Sequence, residues 1–297
     1  MEFMILARRK FIKNISIFVP TLFVCSGGAV SLSNLHPGVA SWMALVKSRS
    51  GNYSGVSIVA NDFMLKALVS QGLRSSIIYL TTYTGLGLNA IKAPLINDSD
   101  PTTPDSPQQL DEADFDETVG LTGNGTNEFM LVATTQTQIY NQDATNHSFT
   151  YGAYICSGTN QNGFGMGVYN GSDYIYLYIS NGTGTTFFST GISGNQISVA
   201  DSAGTGFYCG SYNTTTDAKL YKRGVQIGSS ATPGATYSSG FHVGVLDVNN
   251  QESLVPVAPS TKVWGGHMLG RGISAANQLL LNDIWKRTMG ILGRPVI

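Results

Sequence analysis

From Glu128 onward, short runs rich in Val, Ile, Tyr, Phe and Thr alternate with clusters of Gly, Asn, Ser and Asp. Period-two alternation bounded by turn residues predicts strands, because successive side chains of an extended chain point to opposite faces. The segments that fit are 128–135, 147–157, 163–169, 172–180, 185–190, 196–202, 205–212, 217–227, 240–248 and 261–269, with Asn170-Gly171, Asn181-Gly182 and Arg223-Gly224 as turn sequences between them. The clearest is Asp173-Tyr174-Ile175-Tyr176-Leu177-Tyr178-Ile179. Ile175, Leu177 and Ile179 share one side and are expected in the core, which leaves Tyr174, Tyr176 and Tyr178 as a ladder on the outer side. Strands at this spacing predict two packed antiparallel sheets.

Before Glu128 the period changes. Residues 57–80 read as helical, with Val59, Phe63 and Leu68 at helical spacing, Gly72 breaking the run, and Ile77-Ile78-Tyr79-Leu80 opening a second apolar patch. Residues 97–117 form an acidic connector in which Pro101, Pro104 and Pro107 are expected to exclude regular structure. A C-terminal helix is predicted over 275–292: Ser274 can cap it, Leu280, Leu281, Ile284, Trp285 and Met289 form an apolar stripe, and Gly293 and Pro295 stop it. The chain thus divides into 1–31, a helical lead-in over 32–96, the connector 97–117, and a β-sandwich with its helix over 118–297. No repeat of fixed period runs through it.

Composition narrows the functional classes. Hydrophobic residues make up 42% of the 297 positions and charged ones 12%, so the chain can bury a large core and is not a disordered polyelectrolyte. Lys+Arg 17 against Asp+Glu 18 leaves a net charge of −1, and no basic field exists to hold nucleic acid. Gly, Ser, Thr, Asn and Tyr must supply the polar surface, which suits neutral hydrogen bonding and ring stacking.

At the N-terminus, Ala7-Arg8-Arg9-Lys10-Phe11-Ile12-Lys13 precedes an apolar stretch from Ile15 to Cys25 that Pro20 interrupts, and Ala29-Val30-Ser31 offers a cleavage site. That is the layout of an export signal, and the paired arginines resemble a twin-arginine motif with Ala7 where Ser or Thr is usual. The alternatives are a basic amphipathic arm or a short buried helix. The stretch is too short for a transmembrane helix, and no other segment approaches that length. A lipid anchor on Cys25 lacks the small residue normally found before the cysteine. Cleavage after Ser31 would leave Cys156 and Cys209, an even pair able to form a disulfide in an exported chain. Both lie in strand-like segments, so two buried free thiols are the expectation.

Three segments carry a family resemblance. Gly120-Leu121-Thr122-Gly123-Asn124-Gly125-Thr126, followed by a strand and His147-Ser148-Phe149, resembles the opening of concanavalin A-like (laminin G-like) jelly-roll domains of phage tail-fibre and other virion-surface proteins. Thr205-Gly206-Phe207-Tyr208-Cys209-Gly210-Ser211 is similar to that family's central strand. Lys219-Leu220-Tyr221-Lys222-Arg223-Gly224 is similar to its K-x-Y-x-N-G hairpin, with Arg223 in place of Asn. The C-terminal helix ending Leu292-Gly293-Arg294 also matches, and the resemblance spans residues 56–294. It implies a mainly β, two-sheet antiparallel jelly roll at a virion surface that contacts a glycan or a neighbouring virion protein. An export signal fits a virion part poorly, because virions assemble in the cytoplasm, and this keeps a secreted bacterial carbohydrate-binding protein open. Formation of a homo-oligomer is also open, with no heptad repeat to specify one.

Candidate chemistry is sparse. Glu112-Ala113-Asp114-Phe115-Asp116-Glu117 matches the E-x-D-x-x-E pattern of laminarinase-type glycoside hydrolases. If the segment were a strand facing a cleft, Glu112 would be the nucleophile and Glu117 the general acid, with Asp114 between them. Its polar context, after a Pro-rich stretch, favours a solvated loop and no catalysis. Asp98 and Asp100 could offer oxygens to Ca2+, without the glycine-turned spacing of a calcium loop, so no cofactor is expected. His36, His147, His242 and His267 lack zinc spacing. Tyr174, Tyr176 and Tyr178 are the candidate sugar-binding residues, with burial beneath a loop or a neighbouring chain as the competing reading. The sequence therefore favours a non-enzymatic surface module.

Overall fold

The computed structural model describes residues 34–100, 103–143, 145–158, 165–169, 173–192, 196–231, 242–250 and 260–297. The export-like segment and Cys25 lie outside these residues, as does the Asn170-Gly171 turn. The helices are α1 (Pro37–Ser48), α2 (Gly55–Ser70), α3 (Leu88–Ile91), α4 (Gln136–Tyr140) and α5 (Ala275–Ile291). The strands, in chain order, are β1 (Ile77–Thr81), β2 (Ile96–Asn97), β3 (Ser106–Gln108), β4 (Phe115–Asp116), β5 (Gly120–Thr122), β6 (Phe129–Thr135), β7 (Phe149–Ser157), β8 (Met166–Tyr169) and β9 (Asp173–Tyr178). They continue as β10 (Thr185–Ile192), β11 (Gln196–Ala200), β12 (Gly206–Thr214), β13 (Asp217–Lys222), β14 (Val225–Ser230), β15 (His242–Val245), β16 (Val248–Asn250) and β17 (Val263–Gly270).

These strands form two sheets. One has nine strands in the order β14-β13-β12-β7-β17-β1-β2, with β5 on β17 and β4 on β5; the other has eight, β11-β10-β9-β8-β15-β6-β3, with β16 on β8. Pairing is antiparallel except for β16 with β8. The chain is a mainly β sandwich with helices at both ends, consistent with the expected jelly roll. Ile175, Leu177 and Ile179 lie between the sheets as the alternation requires, packed with Trp264, Phe149, Phe188 and Met166.

A second core lies on the other face of the nine-stranded sheet. There α1, α2 and α5 place Trp42, Met64, Leu68 and Trp285 against Tyr154, Phe207 and Met268. Trp285 stacks with Tyr154 at 6.2 Å and with Phe207 at 5.8 Å between ring centroids. Leu281, Ile284, Trp285 and Met289 form the predicted stripe, but Leu280 is exposed, one position off its axis. Ser274 occupies the N-cap position without donating or accepting a side-chain cap bond.

Local predictions differ from the structure in two places. The helix predicted over 57–80 ends at Ser70, and Ile77–Thr81 is instead a strand pairing with β17 and β2. A continuous apolar run does not distinguish a helix from a strand buried on both faces. Ile78 and Tyr79 join the inter-sheet core, whereas Ile77 and Leu80 join the helix-side core. The connector, too, has regular structure: Ser106–Gln108 pairs with β6 and Phe115–Asp116 with β5. Pro107 is tolerated because β3 is an edge strand. Within 217–227 the expected hairpin forms: β13 and β14 pair antiparallel and the chain turns at Arg223 (φ 53) and Gly224 (φ 80), the pair of positive angles of a type I′ turn.

Cys156 and Cys209 are buried and free. They face the helices from adjacent strands, but Cys209 pairs with Gly152, four positions from Cys156. That offset is about 13 Å along the strand, too far for a disulfide. Among the described residues no helix is long and apolar enough to cross a membrane.

Candidate binding face

The nine-stranded sheet is covered on one side by the inter-sheet core and on the other by α1, α2 and α5. The outer face of the eight-stranded sheet carries none of these three helices. Register defines its side chains: Tyr176 pairs with Ser189 and Tyr178 with Phe187, while Ser189 and Phe187 pair with Gln196 and Ser198 on the edge strand. Tyr176 donates to the Gln196 side-chain oxygen at 2.6 Å. The Tyr178 ring lies 5.9 Å from Phe187, tilted by 36°, and 6.4 Å from Tyr176, edge-on. On the other flank of Tyr176, Gly167 pairs with Gly244, so these two neighbouring positions carry no side chain. A Cβ at Gly167 would come within 2.3 Å of the Ile175 carbonyl oxygen, so glycine is required at that position.

The tyrosine ladder is therefore on the outer side of β9, but it is not an open row of rings. Tyr176 is only 7% exposed. Tyr178 and its cross-strand partner Phe187 are half-buried, and Gln196 and Ser198 are exposed. The side chain of Tyr174 lies outside the described residues. The resulting surface is a ring pair beside amide and hydroxyl groups, with no charged side chain among these outward positions. Phe187 and Gln196 escape sequence reasoning because their proximity to the ladder is set by strand pairing. The Phe187-Phe188 doublet is the local signal, since one ring of such a doublet must face out when the other faces in.

The acidic hexad is not a cleft-facing strand. Glu112–Asp114 is a single 3-10 turn in a capping box: Asp111 accepts from the Ala113 amide at 2.7 Å and Asp114 from the Asp111 amide at 2.6 Å. Glu112 accepts from the Leu88 amide at 2.8 Å, at the start of α3. Glu117 accepts from Ser54 Oγ at 2.7 Å, from the Gly85 amide at 3.3 Å and from Ser57 Oγ. These carboxylates tie the lead-in to the sandwich.

Asp98 accepts two bonds from Arg74, at 2.7 and 3.0 Å, and Asp100 accepts from the amide and hydroxyl of Thr103. Among the described residues no group of three or more His, Cys, Asp and Glu could hold a metal ion. His242 donates from Nδ1 to the Val132 carbonyl at 2.8 Å, and His267 is fully buried with Nδ1 at 2.8 Å from Tyr83 Oη.

No protein-family model and no curated protein sequence matches the chain. Solved structures similar to it include a Trypanosoma rangeli sialidase with difluorosialic acid, at TM-score 0.44 and 12% identity over 84% of this chain and 38% of that one. Another is the CBM40 domain of the Ruminococcus gnavus IT-sialidase with α2,6-sialyllactose, at TM-score 0.41 and 12% identity over 55% and 96%. A third is domain 4 of AbnA, a GH43 extracellular arabinanase from Geobacillus stearothermophilus, with arabinotriose, at 0.43 and 10% over 70% and 98%. The chain thus spans well under half the length of the sialidase. The sandwich assignment stands on its own strand order and register.

Proposed function

We propose that this chain is a non-enzymatic glycan-binding module whose ligand lies on the outer face of the eight-stranded sheet, over β9, β10 and β11. The observation that carries the reading is the juxtaposition of the half-buried Tyr178 and Phe187 rings with the exposed Gln196 and Ser198. Rings stack on the apolar faces of sugars, and neighbouring amides and hydroxyls fix their orientation. The absence of charge among these described side chains favours a neutral sugar. The non-enzymatic part is supported by Glu112 and Glu117, whose carboxylates are engaged in anchoring the lead-in.

The finer context, a virion-surface or tail-fibre module, is supported by the resemblances at 120–126, 205–211 and 219–224. A secreted bacterial carbohydrate-binding protein is the second reading, favoured by the basic and apolar run from Ala7 to Cys25. A glycan array comparing the native chain with the Tyr178→Ala/Phe187→Ala double variant tests the site. Loss of binding at an unchanged melting temperature is expected; undiminished binding would remove these rings from the site.

A further inference from the structure

One of the connector's carboxylates is not at the surface. Asp105 is 1% exposed and stands between the two sheets. It accepts from Tyr79 Oη, on β1 of the nine-stranded sheet, and from the Ala133 amide at 3.0 Å, on β6 of the eight-stranded sheet. Its own amide donates to the Lys92 carbonyl, which also receives Arg49 Nη1 at 2.6 Å. We propose that Asp105 is a proton-dependent clamp: when protonated it closes the two sheets at the edge where the lead-in joins them, and when ionised it loosens that edge.

The geometry gives the mechanism. A carboxylate buried between the sheets with two donors has, among the described residues, no close ion pair to offset its charge, whereas a neutral carboxyl keeps both contacts by exchanging donor and acceptor with the phenol. The groups facing it from the surrounding elements are Tyr79 and Tyr83, Arg49 at longer range, and His267 stacked on Tyr79 at 5.3 Å. The Lys92 ammonium donates instead to Asn89. Burial is the dominant influence and pushes the Asp105 carboxyl up to about 7, against the lowering effects of Tyr79, the Ala133 amide and Arg49. Since the folded value exceeds the ordinary carboxyl value of 3.8, this contribution to stability is full below about pH 4, falls as pH rises toward the folded value of about 7, and levels off above it.

The test measures folding equilibria of the full native chain and of Asp105→Asn by urea titration from pH 5.5 to 8. The native-to-variant ratio of folding constants is expected to fall roughly thirtyfold across this window. A constant ratio would overturn the clamp. Should Asp105→Asn fail to fold, the native chain still decides. The 13C signal of the Asp105 carboxyl should pass from protonated to ionised between pH 5.5 and 8, with amide protection at Ala133 falling in step. An Asp105 ionised throughout, or protection indifferent to its titration, would refute the proposal.

Discussion

Replacing Arg294 by Met tests how the C-terminal tail holds the molecule together. Arg294 is 3% exposed, and its guanidinium donates to carbonyls of three separate segments. Nε reaches Glu117 O at 3.0 Å, Nη1 reaches Thr82 O at 2.9 Å and Gly265 O at 2.7 Å, and Nη2 reaches Tyr83 O. One side chain thus joins the end of the hexad, the turn after β1, and β17. Methionine fills much of the volume but supplies no donor. A buried carbonyl left without a partner costs about 1–3 kcal/mol, and partial hydration through the neighbouring turn recovers some of this. The net loss expected is about 3–5 kcal/mol, a large share of the roughly 5–15 kcal/mol that stabilises a typical domain. Burial lowers the guanidinium to about 10, so it remains charged at neutral pH and its bonds are charge-assisted. Urea denaturation should show a lower midpoint at an unchanged slope, with Arg294→Lys recovering only part of the loss. A loss under about 1 kcal/mol for Arg294→Met would refute the pinning role.

Burial pushes His267 down to about 3, so an unfolded chain takes up a proton there that the folded one refuses. Its contribution is therefore present above about pH 6.5 and is lost as pH falls, by about 3 kcal/mol between pH 7 and pH 4; His267→Gln should abolish that part of the acid sensitivity in urea titrations. Since Asp105 acts with the opposite sign, the native chain should show a shallower pH profile than either single variant. Burial also raises the Cys156 and Cys209 thiols, to about 11 and about 12, so both should resist alkylation in the folded state and react together on unfolding. Alkylation mass spectrometry checks this. Glu117→Gln should lower stability by about 1–2 kcal/mol through weaker bonds to Ser54, Ser57 and Gly85, measured by thermal denaturation.

The sandwich was legible because its strands are half-buried and alternate: Ile175, Leu177 and Ile179 go inward whatever their partners are. The strand at 77–81 was not, because a segment apolar on both faces loses its period, and only the helices on one side and the second sheet on the other explain it. The connector misled through composition. Its carboxylates suggested a solvated loop, yet Asp105 is buried and Glu117 ties the lead-in to the sandwich, roles created by contacts with Tyr79, Ala133 and Ser54 that are distant in sequence. The proposed binding face was half visible. Alternation exposes the Tyr176 and Tyr178 positions, but the partners Phe187 and Gln196 come from register, and the burial of Tyr176 from packing that no local pattern encodes.

Hydrogen–deuterium exchange of the full chain, with and without a neutral oligosaccharide identified on the array, tests the binding face most directly. Slower exchange confined to 173–178, 185–190 and 196–200 is the predicted result. Protection at the lead-in or at 112–126, with these three strands unchanged, would contradict it.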